Sequence, residues 1–63
     1  MAREKGTVVQ VISMADWGQI KRDVNGQIIE FSEVVDVPLM SVQPGQRVSF
    51  DISGGYAVDV RLE

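Results

Sequence analysis

The chain contains no cysteine and no histidine. Without cysteine, neither a disulfide nor a thiolate metal site can hold it together. Without histidine it lacks the commonest general base, the usual zinc ligand and every Ser-His catalytic arrangement. Good helix formers are also scarce: leucine occurs twice and alanine three times, against 11 valines and 5 isoleucines. β-Branched side chains suit a pleated surface and are poor in helices, so this balance predicts an all-β protein. Length is limited too. With 63 residues, 44% of them hydrophobic, the chain reads as one domain spanning 1–63. That is enough for a single core and too little for a core plus a deep substrate cleft. A domain of this size buries only about 60% of its unfolded surface. No enzyme activity and no cofactor are expected.

Positive charge is in short supply. Six Lys and Arg face nine Asp and Glu, for a net charge of −3. Dedicated nucleic-acid-binding domains are usually basic, because neutralising phosphates supplies much of their affinity. No segment approaches the run of about 18 apolar residues that a membrane-spanning helix needs. The first residues, Met1-Ala2-Arg3-Glu4-Lys5, carry no apolar signal region, and the expectation is a cytoplasmic protein.

Turn signals punctuate the chain at Met14-Ala15-Asp16, Asp23-Val24-Asn25-Gly26, Pro44-Gly45 and Ser53-Gly54-Gly55. Five short runs of strand character lie between them, a pattern that predicts a small sandwich or barrel. Thr7–Ser13 is almost continuously apolar and reads as a strand buried on much of both sides. Trp17–Arg22 alternates, with Gly18 and Ile20 on one face and Trp17, Gln19 and Lys21 on the other. Asn25-Gly26 predicts a tight hairpin turn in which both residues take positive φ. In the next run, Gln27–Phe31, Ile29 should join Ile20 in the core, while Ile28 and Glu30 share the face of Trp17. A long connection, residues 32–45, carries Val34, Val35, Val37, Leu39 and Met40, and Pro38 argues against a central strand there. Gln46–Ile52 sends Val48, Phe50 and Ile52 inward. Gly54-Gly55 turns the chain, and Tyr56–Leu62 places Val58 and Val60 on the apolar side. Closing such a sheet into a barrel removes its exposed edges. The predicted fold is a five-stranded antiparallel barrel of the OB type.

Gly6-Thr7-Val8 is followed, eight residues after the valine, by Asp16-Trp17-Gly18-Gln19-Ile20. Asp23-Val24-Asn25-Gly26 then precedes Gln27-Ile28-Ile29-Glu30-Phe31-Ser32. Gly45-Gln46-Arg47-Val48-Ser49-Phe50 and Ala57-Val58-Asp59-Val60 close the chain. In order and spacing these segments resemble the bacterial cold-shock domain over nearly the whole length. The resemblance implies an OB barrel that binds single-stranded RNA or DNA on an aromatic face, where bases stack on side chains of the first three strands. The departures fall on that face. Gln10 stands at the family's strand-one tryptophan, and Val9 and Ala15 at two of its lysines. Trp17 and Gln19 replace two phenylalanines, Ile28 replaces a third, and Glu30 replaces a histidine. Phe31 remains aromatic.

The resemblance therefore implies a reduced site. Trp17 would stack on a base, and Phe31 would either add a second platform or close the barrel mouth. Ile28, Gln19 and Gln10 would be degenerate neighbours. Lys21 shares the face of Trp17 by parity and would approach phosphate or remain a solvated charge, while Glu30 on that face would repel phosphate. Stacking contributes on the order of 1–3 kcal/mol per base, so two platforms imply weak, unspecific binding. The other reading is a protein-interaction module using the apolar connection 34–40. The scattered carboxylates have no calcium-loop spacing, no paired-carboxylate motif suggests glycoside chemistry, and the serines lack a base.

Overall fold

The computed structural model describes residues 3–63; Met1 and Ala2 lie outside the described residues. Five strands follow one another along the chain: β1 (Glu4–Ile12), β2 (Trp17–Arg22), β3 (Ile28–Phe31), β4 (Arg47–Ser53) and β5 (Tyr56–Leu62). They close into a barrel in the order β1-β2-β3-β5-β4. This is the all-β, five-stranded OB-type barrel that the turn spacing predicts. Among the described residues there is no α-helix, only two short 3-10 turns, Ser13–Ala15 and Leu39–Ser41.

The strands are not all antiparallel. The β3–β5 seam is parallel, with Glu30 opposite Tyr56. The reason is arithmetic: a closed ring with an odd number of strands cannot reverse direction at every seam. The parallel pairing is extended by one isolated bridge, Val34 to Val60.

Alternation in β2 and β3 carries through as read. Ile20 is fully buried and pairs with buried Ile29, and Gly18 pairs with Phe31. Val8, Val48, Phe50 and Val60, each at most 1% exposed, complete the centre of the core. The hairpin loop differs from the expected two-residue turn. Arg22 N–H donates to the Gln27 carbonyl (2.8 Å) and encloses a four-residue loop in which Gly26, at φ 73°, is left-handed and Asn25 is not. The Asn25 side chain instead accepts from the Gln27 N–H (3.0 Å). Gly54 and Gly55, at φ 60° and 85°, do form a tight two-residue turn, which suits the twist of the flanking strands.

Two bulges explain where parity fails. Between Val8 and Gln10, two steps of β1 oppose one step of β2. The extra residue lets Val8 point in while Val9, 39% exposed, and Gln10 both face out. The apolar run from Thr7 is thus a bulged strand, not one buried on both sides. In β5 three steps, Val58 to Arg61, oppose two in β4, Ser49 to Asp51. Asp59 takes φ 51° here, so Ala57 and Val60 both turn inward and Val58 turns outward. The expectation of an inward Val58 is corrected accordingly. Ile52 keeps the inward side, since it pairs with buried Ala57, but lies near the barrel's end and stays 39% exposed.

The long connection mostly folds onto the barrel. Val34 and Val42 are buried, Val37 and Leu39 pack against the core, and Val35 and Met40 are left outside. Pro38 leads into the second 3-10 turn, its carbonyl accepting from Ser41 N–H at 2.9 Å.

Candidate functional site

The 3-10 turn after β1 ends at Asp16, which adopts φ 55° and ψ 41°. That left-handed step reverses the chain and delivers Trp17 as the first residue of β2, opposite Ile12. Trp17 is half-buried, with its outward parity as predicted. One row further along, the barrel wall carries Gln10, Gln19, Glu30 and Tyr56 in cross-strand register over β1, β2, β3 and β5. Cross-strand partners share a face, so these four side chains stand side by side. A third row holds Thr7, Lys21 and Ile28. Ile28 is 50% exposed.

A groove of about 340 Å³ opens on this wall, lined by Trp17, Glu30, Phe31, Ser32, Ser53, Tyr56, Ala57 and Val58. It lies beside the first residue of β2, the end of β3, and the residues of β4 and β5 that flank the Gly54-Gly55 turn. Trp17 and Tyr56 are its aromatic walls, and Glu30 stands on the strand between theirs.

Phe31 requires a correction as a stacking platform. It is 1% exposed and belongs to the core. Its ring lies against Gly18, where a Cβ would meet Phe31 Cε1 at 2.7 Å. Of the two roles open to it, this geometry is that of closing the barrel, although it is also among the residues lining the groove. Tyr56, which sequence reading passed over, is 55% exposed and takes the place of the second aromatic. Gln19, Gln10 and Ile28 lie on the same wall but do not line the groove. Lys21 does not line it either: four residues along β2 from Trp17 is about 13 Å.

Charge on the surface is largely self-neutralised. Arg3 bridges Asp51 and Asp59, at 3.2 and 2.7 Å. Arg22 grips Glu4 with two hydrogen bonds, 2.9 and 2.7 Å. Arg61 reaches Asp59 (3.3 Å) and Lys5 reaches Glu63 (3.5 Å). Arg47 holds both carboxylate oxygens of Asp23. Among the described residues, Lys21 is the basic side chain outside these pairs. No group of three acidic side chains among the described residues is placed to hold a metal ion. No described helix is long and apolar enough to cross a membrane.

Hydrogen bonding from Arg47 lowers the carboxyl pKa of Asp23 below its ordinary 3.8, against a smaller opposing effect of desolvation. A depressed folded-state pKa gives stability that is present above the unfolded value and is lost as pH falls through the folded one. Asp23→Asn should therefore lower the urea midpoint at pH 7. The gap to the wild-type chain should close as pH falls below 3.8. Both partners are nearly half exposed, so the gap is small and shrinks with added salt. A gap that widens on acidification would refute the pairing.

Comparison of the chain with family models, with curated proteins and with solved structures finds no match.

Proposed function

We propose that this chain is a non-catalytic module that binds single-stranded RNA or DNA weakly, as a divergent relative of the cold-shock domain. The observation that carries this reading is the pair of aromatic side chains, Trp17 and Tyr56, walling one groove on the face of β2, β3 and β5. OB barrels take oligonucleotides on the face of strands two and three, beside the β1–β2 and β4–β5 loops, and the groove occupies that position. The likeness of Gly45–Phe50 and Ala57–Val60 to the cold-shock pattern supports the same reading. Fold alone does not fix function, so the weight rests on the rings.

Trp17 stacks on one base and Tyr56 supplies the platform that Phe31, turned into the core, does not. Ile28, Gln19 and Gln10 extend the wall beyond the groove. Lys21 meets a phosphate at some distance from the stacked base. At about 1–3 kcal/mol per stacked base, two platforms fall short of the roughly 8 kcal/mol of a micromolar complex once the strand's ordering is subtracted.

Quenching of Trp17 fluorescence by short oligo-dT or oligo-U at low salt tests the reading. Saturable quenching with a dissociation constant of micromolar or weaker is expected. One phosphate contact gives a log–log salt slope near −0.7 for a single strand, and Lys21→Ala should flatten it. No quenching up to millimolar strand would remove the proposal.

A further inference from the structure

Glu30 is the feature that fits this function least well. It is an exposed carboxylate inside the aromatic groove, on the strand between those of Trp17 and Tyr56. Among the described residues no cation lies within ion-pairing distance of it. A bare carboxylate repels phosphate, so the backbone of a strand must run elsewhere on the wall. What enters the groove must be flat, to use the rings, and must present N–H donors to a group that only accepts.

We infer that the groove is a guanine reader, with Glu30 accepting from the base edge while Trp17 and Tyr56 hold its faces. The inference rests on the nucleic-acid reading above. Guanine presents N1–H and an N2 amino hydrogen side by side and parallel. That fork matches the two oxygens of one carboxylate, as an arginine fork does. Uracil and thymine present a single N3–H between two carbonyl oxygens, which face the carboxylate with like partial charge. Cytosine and adenine each offer one amino group beside a ring nitrogen acceptor, so they make one hydrogen bond and meet one repulsion. The ranking is guanine first, adenine and cytosine between, uracil and thymine last.

Dimensions are consistent with one base. A groove of about 340 Å³ has room for a single nucleoside and not for two stacked ones. The strands of Trp17 and Tyr56 flank β3, so they are two strand spacings apart, about 10 Å. Ser32 and Ser53 also line the groove and offer hydroxyls to the remaining polar edge or the sugar. The arrangement turns a charge that weakens backbone attraction into one that selects a base.

The test uses thymidine heptamers carrying a central thymine, guanine, adenine or cytosine, titrated against the full chain and followed by Trp17 fluorescence. The guanine heptamer should bind about ten- to a hundredfold more tightly than the all-thymine one. Glu30→Gln, with its fold checked by circular dichroism, should bring that ratio to within about threefold of one, since the amide replaces an acceptor by a donor. Equal binding of all four heptamers by the wild-type chain overturns the guanine assignment and leaves the nucleic-acid reading standing. So does Glu30→Gln tightening every heptamer by the same factor, the mark of phosphate repulsion alone. Binding of none of them overturns both.

Discussion

Gly6→Ala is expected to unfold the domain, or to lower its thermal midpoint by more than about 10 °C. Gly6 lies in the middle of the sheet, paired with Arg22 of β2 on one side and Val48 of β4 on the other. A Cβ built there would sit 2.5 Å from the Lys21 carbonyl oxygen and 2.6 Å from Ile20 Cγ2. The first of these is backbone in the neighbouring strand, so no rotamer change relieves the clash. Overpacking typically destabilises by about 1–3 kcal/mol, and an obstruction by backbone belongs at the upper end. The whole stability of a chain this long is only about 3–9 kcal/mol. Far-UV circular dichroism during a thermal ramp reads the outcome. A midpoint within a few degrees of the wild-type chain would mean that β1 and β2 are not apposed in this register.

Phe31→Ala should destabilise the domain by about 3–5 kcal/mol, because a core phenylalanine leaves both lost burial and a cavity. Trp17→Ala, at a half-buried position on the wall, should leave a folded barrel and act on binding. Equilibrium urea unfolding of the two variants separates the roles of the two rings. If Phe31 were a platform, its removal would spare stability and abolish quenching; the reverse is expected. Phe31→Leu should restore most of the loss, since it refills the volume next to Gly18 without restoring an aromatic face.

Much of the barrel was legible in the sequence, and the misassigned faces of β1 and β5 have one origin. β2 has the bounds its alternation predicts, and Ile20 and Ile29 meet in the core as parity requires. Parity assumes an unbroken ladder. At Val9 and at Asp59 an extra residue enters the strand, and every assignment read across those points changes face. Counting back from Val60 turns Val58 and Tyr56 inward, which hid the second aromatic. The left-handed Asp59 restores Tyr56 to the wall; aspartate tolerates that conformation better than most residues, but its type alone does not mark where in a strand it is used. Phe31 is a different case. Two residues beyond inward Ile29, simple alternation already buried it, and only the likeness to the cold-shock pattern drew it outward. The groove itself could not be read from the chain, because its two rings come from strands far apart in sequence and adjoin only through the parallel seam.

That seam is the barrel's least-stitched joint. Elsewhere the staves share ladders of four or more residue pairs, whereas β3 and β5 meet in register at Glu30 and Tyr56 and then at the Val34–Val60 bridge, with its 2.8 Å bond from Val35 N–H to the Val60 carbonyl. Transient breathing of the native state begins where few such bonds must part, so amide exchange at Val35 should outpace that at Ile20. Trp17, Glu30 and Tyr56 straddle this joint. An occupant of the groove acts as a clasp across it, and slower exchange at the seam would report occupancy without any label on the guest.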